Sequence, residues 1–407
     1  MAPAEHDALV LGAGAAGLAA ALFAARAGAR VLLLEGAPRV GTKILASGGG
    51  RCNVLPSAVD DGSFYSHSDP VAMRRVLAAL PLRAAHALFE HDLGLPLKTE
   101  ATGKVFPRSD RAGDVVRALL GGCQRAGVAL RTGARVEAVE PGPGGWQVTL
   151  AGGERLTAPR VVVATGGLAL PKSGSDGFGL RLASALGHPL AATYPALVPI
   201  TVDAPDLRAL SGVALPVRLG VVGTDGRTLA HESGDLLLTH RGLSGPAVLQ
   251  ISRHLTAPDA KGRKLRIGWG DLDWAAVLAD GSGGKQLGAT LRSQLPTRLG
   301  DALLARSGRA AGDRLAGIGK KDRAALLGLL DAFEPVVTGS EGYKTAEVTA
   351  GGVRMDAVDA RTLESRTHPG LHFCGEILDA TGRLGGYNFL WAWASGKVAG
   401  EAVARPR

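Results

Sequence analysis

Asp7-Ala-Leu-Val-Leu-Gly-Ala-Gly-Ala-Ala-Gly-Leu18 is the stretch that decides the fold, and Arg30-Val-Leu-Leu-Leu-Glu35 completes it. An apolar run of strand length stops at Gly12, a helical pattern runs from Leu18 to Arg26, Gly28 closes it, and a second apolar strand ends on an acid. Each glycine has its own physical role. Gly12 permits a tight turn, Gly14 lets backbone approach a pyrophosphate, and Gly17 lets the helix pack on the strand. The helix start, at Ala15 and Ala16, offers unpaired N–H groups and the positive end of the helix dipole to phosphate. Glu35 is placed to accept hydrogen bonds from an adenosine ribose, and its charge opposes a 2′-phosphate. Strand, helix, second strand and terminal acid form one complete βαβ unit, which separates this fingerprint from an incidental glycine-rich turn.

Further glycine-rich segments extend the reading. The second strand leads into Gly41-Thr-Lys-Ile-Leu-Ala-Ser-Gly-Gly-Gly-Arg-Cys-Asn53, a polar loop whose N–H groups can form a second anion-binding nest. Lys43, Ser47, Gly48, Gly49, Gly50, Arg51 and Asn53 are its candidate cofactor contacts. Arg160-Val-Val-Val-Ala-Thr-Gly-Gly167 is a buried strand that runs out through Thr165, Gly166 and Gly167. Leu371-His-Phe-Cys-Gly-Glu376 repeats the arrangement at the far end, with Gly375 at the turn and Glu376 suited to a ribityl hydroxyl. A nucleotide that reaches both residue 12 and residue 376 is more naturally FAD than NAD. The single fingerprint and the lack of Cys-x-x-Cys argue against a two-Rossmann disulfide reductase.

Composition sets the outer bounds. With 407 residues, 46% hydrophobic and 20% charged, the chain is globular, and its length predicts two or three domains. Cys52, Cys123 and Cys374 lie far apart, so neither a disulfide framework nor a metal site is expected, and a reduced, cytoplasmic setting follows. The uncharged run Ala8 to Ala25 imitates a signal peptide, but Glu5, His6 and Asp7 precede it where positive charge is needed, so no membrane association is expected. The formal charge of +9 reads either as a solvated Arg-rich surface or as a face for a polyanionic partner. The densest basic stretch is Arg253, His254, Lys261, Arg263, Lys264 and Arg266, and it lacks the interleaved aromatics of a single-strand platform.

The coarse pattern alternates strand and helix up to about Tyr194, including a helix over 115–127 and a strand over 128–139. Val213 to Leu238 reads as short β-branched strands with a hairpin turn at Asp225-Gly226. From Ser244 the character turns helical, over 286–295, 299–305 and 322–333, and an amphipathic helix follows Gly382 to Asn388.

The fingerprint, Ser47-Gly-Gly-Gly-Arg-Cys-Asn53, Ala164-Thr-Gly-Gly167, Thr239-His-Arg-Gly-Leu-Ser-Gly-Pro246, Thr345-Ala-Glu-Val-Thr-Ala-Gly-Gly-Val353 and Gly385-Gly-Tyr-Asn-Phe-Leu-Trp-Ala-Trp393 follow one another in an order that resembles the BaiN/YhiN-like bacterial flavoproteins, with the YhiN-like branch nearer. Those are NAD(P)/FAD-dependent oxidoreductases. The resemblance implies an α/β fold: a glutathione-reductase-type Rossmann FAD domain from residues 1–193 and 345–407, a β-rich insert from 194–243 and 335–344, and a mainly helical subdomain over 244–334. It implies tightly held, non-covalent FAD, NAD(P)H as electron donor, an adenine-side contact near Val136, and flavin contacts at Gly386, Tyr387 and Asn388. It also implies reduction of an activated carbon–carbon double bond, in a small unsaturated acid or in a uridine of 23S ribosomal RNA. Two positions depart from the familiar pattern: Lys104 stands where Arg is usual, and Leu390 where Gln is usual.

A flavin performs hydride transfer itself, from its N5, so the protein must bind, orient and polarise. Cys52 and Tyr387 are the candidate catalytic groups, each as a proton donor to a substrate carbon, although a free Cys such as Cys52 is more often a packed small residue. His240 and Arg241 are the candidate substrate contacts: Arg241 can hold a carboxylate or phosphate or make a surface ion pair, and His240 can equally be a core residue. A flavin-bound redox sensor without turnover stays open as a non-enzymatic alternative. Oligomeric state is not legible.

Overall fold

The computed structural model describes residues 5–280 and 284–405. Up to Thr193 the main elements are β1 (Ala8–Leu11), α1 (Ala15–Arg26), β2 (Val31–Leu34), the two-residue β3 (Phe64–Tyr65), α2 (Pro70–Ala78), α3 (Ala112–Arg125), β4 (Ala129–Arg131), β5 (Val136–Gly142), β6 (Gly145–Leu150), β7 (Arg155–Ala158) and β8 (Arg160–Val163). From Tyr194 follow β9 (Ile200–Asp203), β10 (Ala214–Val222), β11 (Thr228–Leu238), β12 (Gly242–Ser244), β13 (Lys264–Trp269), α4 (Leu287–Gln294), α5 (Thr297–Ser307), α6 (Lys320–Leu330) and β14 (Val336–Ser340). The last segment carries β15 (Val348–Val353), β16 (Leu371–Phe373), β17 (Thr381–Gly382) and α7 (Tyr387–Val403). Two compact units result, one joining the chain up to Thr193 with the chain from Val348, the other running from Tyr194 to Glu347.

The first unit is built on a five-stranded parallel sheet in the order β16-β8-β1-β2-β4. Its three middle strands are runs of Val, Leu and Ala with scarcely a polar side chain, as a sheet covered on both faces requires. Packing of α1 on α7 is unusually close: a Cβ on Gly396 would lie 2.6 Å from Ala16 O, and one on Gly400 would lie 2.3 Å from Ala20 O. Small residues on both helices let the backbones touch, and so join the two ends of the unit. The expected amphipathic C-terminal helix is in fact buried on nearly every side beyond its first turn. The expected strand over 128–139 is two strands of different sheets. Gly133 turns the chain at φ +67°, and the N–H groups of Gly133 and Ala134 bond Ala37 O and Glu35 O instead of a ladder.

The second unit is a six-stranded antiparallel sheet, ordered β13-β10-β11-β12-β9-β14, covered by α4, α5 and α6. The Asp225-Gly226 turn joins β10 to β11, with Gly226 at φ +80°. Strand β13 lies inside the region expected to be helical. Leu265, Ile267 and Trp269 alternate with Lys264 and Arg266, a period of two, and it is the apolar alternate residues that enter the core.

Candidate functional site

The glycine turn between β1 and α1 is shaped from within. A Cβ on Gly17 would lie 1.8 Å from Gly12 O, and one on Gly12, at φ +96°, would lie 2.8 Å from Ala164 O. A Cβ on Gly14 would meet nothing within 4 Å. Two glycines are therefore imposed by the protein's own packing and the third faces open space at the helix start. No side chain caps α1, so the N–H groups of its first turn, at Ala15 and Ala16, are unclaimed by side chains. Glu35 closes the turn from the other strand: Oε2 accepts from Ala13 N at 2.8 Å and Oε1 from Ala37 N at 2.9 Å. Ala134 N donates to Glu35 O at 2.8 Å, which brings the segment entering β5, with half-buried Val136, alongside. An anion-ready helix end, an open cradle and an adjacent carboxylate fit the diphosphate and ribose of a dinucleotide.

The far end of the chain meets this cradle. A Cβ on Gly375 would lie 2.5 Å from Ala16 Cβ. Glu376 Oε1 accepts from Thr349 N at 2.9 Å, and Oε2 is paired with Lys43 Nζ. Thr349 Oγ1 in turn accepts from Leu168 N and Ala169 N, just past Gly166 and Gly167. Lys43, Gly167 and Glu376 thus meet at one place, whereas the buried Oγ1 of Thr165, without a hydrogen-bond partner, lies 2.2 Å from where a Cβ on Gly179 would be. Gly375 itself is fixed by α7: its N–H donates to Ser395 Oγ and its carbonyl accepts from Trp391 Nε1, both at 2.9 Å.

The Ser47 to Asn53 loop winds through the left-handed region. Gly48, Gly49 and Gly50 have φ of +57°, +66° and +85°, and Cys52 sits at φ +61°, a strained value for a residue with a Cβ. Ser47 Oγ donates to Ile44 O at 2.7 Å. Cys52 is wholly buried, and burial pushes its thiol up to about 12 against a small opposing pull from Ser47. Arg51 turns outward: Nη1 lies 2.7 Å from Glu100 Oε1 and 3.4 Å from Asp110 Oδ1, and its guanidinium stands 4.0 Å over the Phe106 ring. Lys98, first, and Arg51 hold the Asp110 carboxyl below the usual range. The Arg51 side chain is therefore a latch between this loop and residues 98–110. Asn53 Oδ1 accepts from Val105 N at 3.1 Å and would lie 2.9 Å from a Cβ on Gly386.

Gly386, at φ +92°, starts α7 without a side-chain cap, and a Cβ there would lie 2.4 Å from Leu55 C. Asn388 is engaged by the loop before it: Oδ1 accepts from Gly382 N at 2.8 Å, and Nδ2 donates to Gly382 O and Arg383 O. Tyr387 is half-buried, with its ring edge-on to Phe64 at 5.7 Å. Two residues of this region escape a sequence reading. Asp379, 1% exposed, accepts a hydrogen bond from the backbone of His67, 312 positions away, and is paired with its ring. The available signal is a lone acid inside the otherwise uncharged 377–382 segment.

His240 and Arg241 belong to the second unit. Both are exposed in the turn between β11 and β12, which Thr239 Oγ1 closes by accepting from Arg241 N and Gly242 N. Half of the densest basic stretch is paired with acids: Arg263 with Asp259, and Lys264 and Arg266 with Glu334. No helix among the described residues is long and apolar enough to cross a membrane.

Fold and site together define a flavoprotein oxidoreductase with a Rossmann-type FAD-binding fold. The model of the family described as HI0933-like protein Rossmann domain matches residues 6–402, and the chain belongs to that family. Among curated relatives, the ribosomal RNA dihydrouridine synthase of Escherichia coli strain K12 is 36% identical over 403 residues, 96% of each chain. The 3-dehydro-bile acid delta(4,6)-reductase of Clostridium scindens is 34% identical over 409 residues, covering 97% of this chain and 98% of that one. Among solved structures, a flavocytochrome c3 fumarate reductase in its open conformation shares the fold with a TM-score of 0.50 at 18% identity, covering 98% of this chain and 78% of that one.

Proposed function

We propose that this protein uses FAD and NAD(P)H to reduce an activated carbon–carbon double bond. The observation that carries the reading is that relatives named for different substrates share one chemistry. Dihydrouridine is uridine with two hydrogens added across a ring double bond, and a delta(4,6)-reductase saturates ring double bonds. Bound FAD would supply the hydride exchange between nicotinamide and substrate. The chain's own part is to bind, orient and move a proton. The start of α1 suits the diphosphate, Glu35 the adenosine ribose, Lys43 and Glu376 the ribityl side, and the uncapped start of α7 at Gly386 favours negative charge placed before it. Half-buried Tyr387 is the better proton donor, because Cys52 has no exposed surface and its thiol lies at about 12. Exposed Arg241, which makes no ion pair among the described residues, suits a carboxylate or phosphate on the substrate, with His240 beside it.

A second reading narrows the substrate to uridine in 23S ribosomal RNA; the match to the Escherichia coli synthase and the +9 charge favour it. In the basic stretch around residue 264, Asp259 and Glu334 hold Arg263, Lys264 and Arg266, and five Lys and Arg against these two acids leave a positive balance. Purified protein should show the absorption of bound FAD and bleach anaerobically with NADH or NADPH. A flavin that neither nucleotide bleaches favours a redox sensor, and a colourless protein that cannot be reconstituted removes the reading altogether. RNA binding that weakens steeply with salt would support the second substrate, and salt-independent binding would remove it.

A further inference from the structure

Lys104 has no part in the chemistry above, yet the chain carries it to the start of α7. It opens the strand Lys104–Pro107, which pairs with Leu55–Pro56, Val105 opposite Leu55 and Lys104 opposite Pro56. The carbonyl carbon of Leu55 would lie 2.4 Å from a Cβ on Gly386, so this pair of strands is packed against the turn into the helix. Gly385, at φ +118°, is the other residue of that turn. Three side chains close on the place where its own would begin: Tyr387 Cε2 at 3.6 Å, Asn53 Nδ2 at 3.9 Å and Lys104 Cγ at 3.9 Å.

The two polar groups at this place have no protein partner for their donors. Asn53 is 8% exposed; its Oδ1 is engaged by Val105 N, and its Nδ2 makes no hydrogen bond among the described residues. Lys104 is half-buried and makes neither an ion pair nor a side-chain hydrogen bond among the described residues. The charges around it are matched to one another, Arg51 with Glu100 and Asp110, and Lys98 with Asp110, which leaves Lys104 the odd cation of the group. A half-buried ammonium without a counter-ion is costly until an acceptor arrives. Beside the uncapped start of α7 it adds to the positive end of the helix dipole.

The reaction proposed above needs such a place. A double bond is activated by a conjugated carbonyl. When one alkene carbon takes the hydride, the electron pair of the double bond moves through the other carbon onto the carbonyl oxygen, giving an enolate. That second carbon then takes the proton and the carbonyl re-forms. A single carbon therefore separates the oxygen that bears the charge from the carbon that Tyr387 protonates, and a donor for that oxygen belongs beside Tyr387.

We propose that Lys104 is that donor, a further catalytic residue that holds the carbonyl oxygen of the substrate and balances its charge between hydride arrival and proton transfer. The proposal rests on the double-bond reading above, with Tyr387 as proton donor. Atoms and charge balance: NAD(P)H loses a hydride and leaves as NAD(P)⁺, one alkene carbon gains the hydride, the other gains the Tyr387 proton, and the phenolate regains a proton from water. Lys104 keeps its own hydrogens throughout. The substrate class follows: an alkene conjugated with a carbonyl, and not an isolated alkene.

The test uses photoreduced holoprotein, as wild type, Lys104→Met and Lys104→Arg, mixed in a stopped-flow cell with one of two oxidants. One is 2-cyclohexen-1-one, a conjugated enone; the other is ferricyanide at high salt, which accepts electrons without forming an enolate and whose charge is screened. Ferricyanide should reoxidise Lys104→Met at the wild-type rate, the enone at least about a hundredfold more slowly, and Lys104→Arg should recover most of that loss. Oxidised holoprotein titrated with 4-chlorophenolate, a conjugated oxygen anion like an enolate, should bind it about 10–100-fold more weakly in Lys104→Met. Equal enone rates or equal phenolate affinities in wild type and Lys104→Met, reaction or binding by neither included, would overturn the proposal. So would a Lys104→Met protein slowed as much with ferricyanide as with the enone. These outcomes leave the FAD reading intact, because bound flavin is seen directly by its absorption in every variant. A protein that binds no FAD would overturn both.

Discussion

Single atoms separate two glycines that a fingerprint treats alike. Gly14 has open space where a Cβ would go, whereas Gly17 has Gly12 O at 1.8 Å. Gly14→Val should therefore keep the thermal stability of the wild-type apoprotein but lose flavin, leaving less than about a tenth of sites filled, because the methyl groups occupy the phosphate's approach. Gly17→Ala should instead lose stability, by about 1–3 kcal/mol or more, before binding is considered. Absorbance ratios and urea unfolding on the two variants check this, and equal unfolding midpoints for both would refute it. A second residue-level expectation concerns His254, whose imidazole is pushed down to about 4 by burial, then by Arg253 and Arg263. A histidine with a depressed folded value binds its proton more readily when unfolded, so stability is lost as pH falls from the unfolded value near 6.5 through 4. Allowing for partial exposure, His254→Gln should flatten that decline by about 1–2 kcal/mol. Identical unfolding-versus-pH curves for the variant and wild type would contradict the assignment.

At the level of elements, the α1–α7 contact makes a distant residue a binding residue in effect. Gly400→Ala puts a methyl group 2.3 Å from Ala20 O, and the shift needed to relieve it displaces α1, whose N-terminal end forms the cradle, together with α7. We expect a lower melting temperature together with faster flavin release on dilution; a loss of stability with unchanged release would separate the two. The latch on the Ser47 to Asn53 loop depends on shape as well as charge: Arg51→Lys should loosen flavin nearly as much as Arg51→Ala, because lysine cannot stack flat on Phe106. Flavin release at the wild-type rate from Arg51→Lys would show that charge alone suffices. These elements also mark how far sequence reading reaches. The βαβ unit is legible because its glycines, apolar strands and terminal acid report backbone geometry directly. Strand β13 is hidden because its outward residues are Lys264 and Arg266, which draw the eye to charge instead of to the buried alternation of Leu265, Ile267 and Trp269. Motif membership marks Arg51 and Asn388 as candidate cofactor contacts; that their side chains also bond the protein's own loops is not legible, since spacing along a chain does not say which way a side chain turns. The His67–Asp379 pair leaves no periodic trace at all, since it exists only once β3 and β17 are paired.

Across the whole molecule, a good part of the +9 charge is gathered in residues 253–266, which hold five Lys and Arg against one acid. Lys264 and Arg266 are tied to Glu334, beside the bridge in which Ile267 and Phe333 exchange backbone hydrogen bonds. Neutralising both, as Lys264→Gln with Arg266→Gln, should lower thermal stability while leaving the salt dependence of RNA binding nearly as it was; a salt slope reduced by about two would show instead that they meet phosphates. The first unit is discontinuous, and that has a temporal consequence. Lys43 and Glu376 are 333 positions apart. A ribosome adding about 5–20 residues per second needs roughly 17–67 s to travel between them. For that interval the emerging chain carries a half-built cradle, with the small-residue face of α1 uncovered by α7. On the proposed FAD reading, cofactor loading would wait until Glu376 and Gly386 have emerged, and a nascent chain cut short before Gly386 would be released as apoprotein, open to chaperones and proteases.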